Sequence, residues 1–207
     1  MGASKEDMRS TRTRRACKRA LLDLMRETDF QGITVTDIAS RAEISRVTFY
    51  RHYPTTADVL ADIAKDVMDE YAERRRGIVY PDASLRTGVE QRCLLFYSHF
   101  ADHAEYYSAM LGRHGIPSFE RELQDMRVSL FCGRYSFRPA RGQSEAAARL
   151  RFRLLANYVV YAQLGLAKFW LMEGCETDVH TVAKVAADFT YTLLSDQSTL
   201  VISENER

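Results

Sequence analysis

Residues Ile33 to Pro54 read ITVTDIASRAEISRVTFYRHYP, and their pattern decides the fold. Thr34 is placed to cap a helix whose third position is Asp37. This is a T-x-x-D capping box, in which hydroxyl and carboxylate each take up a backbone N–H that the first turn leaves without a partner. Ile38, Ala39 and Ala42 then recur on one face of a helix only about two turns long. Ser45 is a second N-cap. It opens a helix with Arg46, Val47 and Thr48 in its first turn and with Phe49 and Tyr53 on its inner face. Helices this short are not stable alone, and two of them joined by a tight turn form a helix-turn-helix.

In that geometry the N-terminal residues of the second helix meet base edges in the major groove. Arg46 brings a bidentate donor, Val47 a small apolar contact and Thr48 a hydroxyl, three kinds of contact by which base pairs are told apart. Tyr50, Arg51 and His52 follow and suit phosphate oxygens. Thr34 and Ser45, the hydroxyls at the two helix starts, join the candidate DNA-binding residues.

The run T-V-x-D-I-A, then S-R-x-T-F-Y-R-H-Y-P, then a capped helix resembles the DNA-binding domain of TetR-type bacterial repressors. The likeness extends on both sides. An amphipathic helix from about Thr13 to Asp29, with Cys17, Ala20, Leu21, Leu24 and Thr28 on its face, and then Gly32 precede the motif in the family's order. After it, Thr55 or Thr56 begins a helix with Asp58 in its first turn, and Val59, Leu60, Ile63, Val67 and Tyr71 recur at helical spacing towards Arg76. The resemblance adds Thr36 as a further base contact. Two positions depart from the family: Glu43 stands in the turn where many relatives carry Gly, and Thr56 where many carry Lys. A side chain at a turn position needing positive φ is strained, and a lost cation is a lost phosphate contact.

The resemblance implies an all-α fold, with an N-terminal three-helix helix-turn-helix domain and a helical ligand-binding and dimerisation domain. The expected boundaries are a head over 1–54 opening with a basic arm over 1–12, a connecting helix over 55–76 and a body over 77–207. The expected function is that of a sequence-specific transcriptional regulator, a repressor released from a palindromic operator by a small-molecule effector. The alternatives are a helical interaction protein that does not bind an operator, or an enzyme. For the enzyme there is no G-x-S-x-G, no Gly-rich phosphate loop and no H-E-x-x-H, and no cofactor is expected.

Charge follows the same division. Between Met1 and Pro54 eleven Lys and Arg face seven Asp and Glu, a net +4, and since the whole chain carries +1 the remainder carries −3. A basic head on an acidic body suits phosphate contact through the head alone. Arg12, Arg14 and Arg15 are expected to reach phosphate or the minor groove from a polar tail before the first helix. The four cysteines, Cys17, Cys93, Cys132 and Cys175, form no C-x-x-C pair and read as small hydrophobes in a reducing cytosol. Residues 1–10 lack the apolar run of a signal peptide. The most apolar segment, Leu154 to Ala167, is interrupted by Asn157 and Gln163 and falls short of the roughly 20 residues a membrane helix needs. A soluble, cytoplasmic protein is expected.

The body reads as helical throughout, with joints at Gly77 to Pro81, Gly112 to Pro117 and Pro139 to Gly142. Leu85, Val89, Cys93, Phe96 and Phe100 form one apolar stripe, and Phe119, Leu123, Met126 and Leu130 another, with Tyr106, Tyr107, Met110 and Leu111 on a short segment between them. Ser144 to Glu173 is long and apolar over a broad arc, more than one neighbour can cover, and Asp178 to Leu194 follows it. The stretches LLFYSHFADHAEYYSAMLGRHG, SFERELQDMRVSLF and KFWLMEG resemble, at scattered positions, one branch of TetR-type C-terminal domains. In such proteins the last two long helices pair with those of a second copy. Phe152, Leu155, Val159, Ala162, Gly165, Phe169, Val182, Ala186 and Phe189 are therefore the expected homodimer interface. Phe96, Tyr97, Phe100, Tyr107, Met110, Phe131, Tyr158 and Trp170 are candidates to line an effector pocket, since such sites are mostly apolar. His99 and His103 have a spacing that can serve one metal, but with Asp102 and Glu105 beside them they read as a solvated polar face, and no metal is expected.

Overall fold

The computed structural model describes residues 5–77, 84–137, 139, 141–195 and 200–202. Among these the chain is helical apart from two three-residue strands: α1 (Lys5–Glu27), a 3-10 turn (Phe30–Gly32), α2 (Val35–Arg41), α3 (Arg46–Tyr50), α4 (Thr56–Arg76), α5 (Leu85–Asp102), α6 (Ala104–Leu111), α7 (Pro117–Arg134), β1 (Tyr135–Phe137), α8 (Glu145–Met172), α9 (Val179–Ser195) and β2 (Leu200–Ile202). Two compact units result. The first comprises residues 1–73 with 103–117, and the second residues 74–102 with 118–207. Residues 103–117, which the sequence assigns to the body, thus lie in the unit that holds the helix-turn-helix.

In the first unit the local signals act as written. The Thr34 hydroxyl accepts from Asp37 N at 3.2 Å while Asp37 Oδ2 accepts from Thr34 N at 2.9 Å, closing the capping box. Ser45 Oγ accepts from Thr48 N at 3.0 Å and starts α3. Thr55, not Thr56, caps α4, with Asp58 returning the bond to Thr55 N at 2.9 Å. Between α2 and α3 Glu43 takes φ 55°, the left-handed conformation in which glycine is at ease and other residues are strained. Ile38, Phe49, Tyr53, Val59 and Ile63 are buried with Leu21 and Met25 of α1, so the three-helix head shares one core with α4. Short helix α6 packs against α1 and buries Tyr106, Tyr107, Ala109 and Met110.

In the second unit α5 lies along α9, with Val89, Cys93, Phe96 and Phe100 on one helix and the small residues Ala183, Ala186 and Ala187 on the other. Small side chains let two helix axes approach closely. Ser144 caps α8 by accepting from Ala147 N at 3.2 Å, at the start the sequence indicates. β1 pairs antiparallel with β2, Tyr135 opposite Ile202 and Phe137 opposite Leu200. The sequence reading found no strand here, because three residues are too few to display an alternation.

Candidate nucleic-acid interface

α3 is amphipathic in five residues. Phe49 is fully buried, stacked edge-on to Tyr50 and 6.0 Å between centroids from Tyr53. Anchoring that one face turns the opposite face outward: Val47 is 67% exposed and Tyr50 51%, an unusual display of large apolar surface for so short a helix. Arg46 and Arg51 are exposed beside them and neither side chain has a hydrogen-bond or ion-pair partner among the described residues. Their guanidinium donors are thus available to an outside acceptor. His52 is half-buried at the end of the same face.

The hydroxyls divide differently. Thr34 Oγ1 is engaged with Asp37 Oδ2 at 2.6 Å, and Ser45 Oγ with Thr48 Oγ1 at 2.8 Å, so each is committed first to the helix start it caps. Thr36 stands exposed in the first turn of α2.

The expected arginine arm is corrected. α1 begins at Lys5, so Arg12, Arg14 and Arg15 lie on a helix and not on a tail; residues 1–4 of the arm are outside the described residues. The physical reason is a partner for the polar face. Arg14 and Lys18, one turn apart, meet Asp62 of α4 at 3.0 and 2.8 Å, and Lys18 also meets Asp66 at 2.6 Å. Arg14 is therefore committed within the unit, its guanidinium also 5.0 Å from the centroid of the Tyr53 ring, while Arg12 and Arg15 remain exposed. Asp62, which the sequence reading did not single out, is the hub. Burial disfavours its charge, yet hydrogen bonds from Lys18, Tyr53 and Arg14 outweigh that cost and hold its carboxyl down at about 2. Only the i, i+4 spacing of Asp62 and Asp66, matching Arg14 and Lys18, signalled it.

The residues expected to line a pocket do not form one set. Phe96, Tyr97, Phe100 and Trp170 are buried in the second unit, with Phe131 half-buried there. Tyr107 and Met110 are buried in the first unit. Tyr158 is 63% exposed, and a residue turned to solvent lines no interior site.

The expected interface residues also divide. Val159, Val182 and Ala186 are buried inside the second unit and have no surface to offer. Phe152 and Leu155 are half-buried. Ala162, Gly165, Phe169 and Phe189 are exposed, and around them the sequence reading missed Leu150, Leu154, Tyr161, Met172 and Val185. With Tyr158 they recur at helical spacing, so α8 presents an exposed apolar stripe from Leu150 to Met172 and α9 exposes Val185 and Phe189 one turn apart. A broad arc of apolar residues pointed to more surface than one neighbour covers, but not to which side its own unit covers.

His99 is not on a solvated face. It is 1% exposed within α5, and α5 ends at Asp102, so His103 falls beyond the helix and its Nε2 lies 3.0 Å from Glu70 Oε2. Cys17 and Cys93 are buried as expected of small hydrophobes, whereas Cys132 is exposed. Among the described residues no helix is long and apolar enough to cross a membrane.

Known proteins place this geometry. Residues 19–63 match the model of bacterial regulatory proteins of the tetR family, and residues 89–191 match that of a TetR transcriptional regulator C-terminal region. An uncharacterized HTH-type transcriptional regulator of Bacillus subtilis (strain 168), YxbF, is 44% identical over 55 residues, 26% of this chain and 14% of that protein. The chain therefore matches only about a seventh of that relative's length. A TetR-like transcriptional regulator from Rhodococcus sp. RHA1 superposes with a TM-score of 0.61 at 18% identity, over 88% of this chain and 96% of the other. Native NalD, described as the secondary repressor of the MexAB-OprM multidrug efflux pump in Pseudomonas aeruginosa, superposes with a TM-score of 0.59 at 18% identity, over 88% and 96%. At that identity the two structures speak for the fold, while the two family models together cover most of the head and most of the body. Regulators of this kind act by binding DNA and are not enzymes. The chain belongs to the TetR family of bacterial DNA-binding transcriptional regulators.

Proposed function

We propose that the protein is a homodimeric repressor that holds a palindromic operator through two copies of α3 and is released when a small molecule occupies the second unit. The observation that carries this reading is the outward face of α3, where Arg46, Val47 and Tyr50 stand exposed with Phe49 locked beneath them. Arg46 would read a base, guanine being its best bidentate acceptor, with Val47, Thr48 and Thr36 beside it. Tyr50, Arg51, His52, Arg12 and Arg15 would hold phosphates, and the hydroxyls of Thr34 and Ser45 would line the helix starts. One such head reads too few base pairs for a unique genomic site, so two must be held at a fixed spacing on a two-fold axis. The apolar face of α8 and α9 is suited to hold them. An effector would act by favouring one spacing of the heads over another, its leverage being the difference in its affinity for the two arrangements. The repressor reading takes support from NalD, whose description names it a repressor.

A gel-shift assay on DNA from beside the protein's own gene tests this. A complex that survives excess scrambled DNA, and that requires both halves of an inverted repeat, is the expected result. Binding that is equal on scrambled DNA would overturn the reading in favour of an interaction protein.

A further inference from the structure

The second unit holds a half-buried cation that no carboxylate among the described residues neutralises. Arg127 of α7 has its guanidinium carbon 3.4 Å from the centroid of the Phe96 ring on α5. Its Nη2 donates to Gln163 Oε1 of α8 at 2.5 Å, and its Nε and Nη1 are sealed from solvent with no hydrogen-bond partner among the described residues. No carboxylate pairs with it among those residues. Lys168, on the same helix as Gln163, is by contrast paired with Glu120 at 2.6 Å, so the unit does neutralise other cations.

The surroundings are polar in a directed way. Gln163 Nε2 donates to Thr190 Oγ1 of α9 at 2.9 Å and lies 3.6 Å from Cys93 Sγ of α5, and Tyr97 donates its hydroxyl hydrogen to the Gln163 carbonyl at 3.0 Å. The side-chain amide nitrogen is thus held between α5 and α9, Tyr97 holds the backbone carbonyl, and the amide oxygen is given to Arg127 of α7. Burial raises the Cys93 thiol to about 11, and Arg127 and then Arg92 act against that rise, so positive potential reaches the middle of the unit. Glu90, the carboxylate felt at Cys93, is exposed and paired with Arg86 at 3.0 Å. A run of aromatic rings leads away from the guanidinium: it lies on Phe96, Phe96 and Tyr97 are 5.1 Å apart, and Tyr97 and Trp170 are 6.3 Å apart.

A half-buried cation with buried N–H donors and no counter-charge is costly, and a guanidinium with unclaimed N–H donors is the group best matched to a carboxylate. We propose that the second unit binds a small organic carboxylate, its anionic group on Arg127 and its apolar portion among Phe96, Tyr97 and Trp170. This rests on the reading of the second unit as the effector-binding body, and it assigns the chemical class of that effector. A structural role for Arg127, as a cation stacked on Phe96 and held by Gln163, is the competing explanation.

The test is thermal denaturation of the full chain with acetate, octanoate and benzoate, each against its neutral amide at fixed ionic strength, in the natural sequence and in Arg127→Met. Binding to the folded form raises the melting temperature. The expected result is a rise of several degrees with at least one acid, none with its amide, and no rise in Arg127→Met. Should that variant not fold, the Nε–H signal of arginine side chains in the natural sequence reads the same contact, one such signal moving with the acid and not the amide. An unresponsive melting temperature throughout, or an equal rise in Arg127→Met, would leave Arg127 a structural cation and overturn the proposal. No DNA enters this measurement. If the acid binds at Arg127 but operator complexes ignore it, the site stands and the effector reading falls.

Discussion

The Tyr53 hydroxyl donates a 2.6 Å hydrogen bond to Asp62 Oδ2, tying the segment that closes α3 to the second turn of α4. The same oxygen receives Arg14 at 3.0 Å and Lys18 at 2.8 Å from α1. One carboxylate oxygen thus sets the recognition helix against both helices that carry it, and an angle held this way costs nothing to re-establish when DNA arrives.

Tyr53→Phe keeps the ring beneath α3 and removes only the bond. It should destabilise the protein by about 1 kcal/mol and weaken binding to every DNA sequence alike, since it loosens the helix without touching a base. A thermal melt and a gel shift on operator and scrambled DNA check this; a loss confined to the operator would mean that Tyr53 reads sequence.

Asp62 also carries a pH dependence. An unfolded aspartate titrates near about 3.9, whereas the folded group is held at about 2 by Lys18, Tyr53 and Arg14 against the cost of burial. A depressed carboxyl stabilises the fold fully above the unfolded value and loses that contribution as pH falls through the folded one. The melting temperature should therefore fall between pH about 4 and about 2 more steeply in the natural sequence than in Asp62→Asn. Parallel curves would show that Asp62 contributes nothing in that window.

Arg46 and Tyr50 separate base reading from positioning. Arg46→Ala should cost about 1 to 3 kcal/mol on the operator and relax preference at one base pair, while Tyr50→Phe weakens all sites alike. Competition binding against single-base operator variants distinguishes the two. Equal losses for Arg46→Ala on operator and scrambled DNA would remove Arg46 from base contact.

At Glu43 the backbone sits at φ 55° with a side chain that gains nothing there. Glu43→Gly removes a strain on the order of 1 kcal/mol, offset in part by the greater freedom glycine has when unfolded, and it also removes an anion from the head. A small rise in melting temperature together with tighter DNA binding is expected. A lower melting temperature would mean that the left-handed turn is held by something other than residue choice.

What the sequence made legible was local. Capping residues such as Thr34 and Ser45 act within three positions of themselves, so helix starts could be read directly. The turn at Glu43 was legible through the resemblance, since many relatives carry Gly at that position. What it left unread depended on distant neighbours. Arg14 looked like a free arm residue because Asp62 lies 48 positions away. Tyr158 and Val159 are adjacent in sequence, yet one faces solvent and the other the core, and only the placement of α5 and α9 decides which. Arg127 carried no motif; its meaning comes from Phe96 and Gln163, brought to it by two other helices.

Dimerisation can be tested by the contrast that the structure draws within α8 and α9. Phe169 is 61% exposed and Phe189 65%, on the face with Ala162, Gly165 and Tyr161, whereas Val159 and Ala186 are buried in the unit. A charge at Phe169 or Phe189 should leave the subunit folded, because the site is already hydrated in the single chain, but it would place an unpaired ion in the apolar centre of a two-fold interface, at a cost of several kcal/mol. Phe169→Glu and Phe189→Glu should therefore yield a folded monomer that binds single half-sites weakly and the full palindrome no better. A charge at Val159 or Ala186 should instead unfold the second unit. Mass by light scattering together with circular dichroism separates these outcomes. A natural-sequence monomer at micromolar concentration that still binds the palindrome tightly, or exposed-face variants that remain dimeric, would show that the apolar face of α8 and α9 does not pair two copies of this chain.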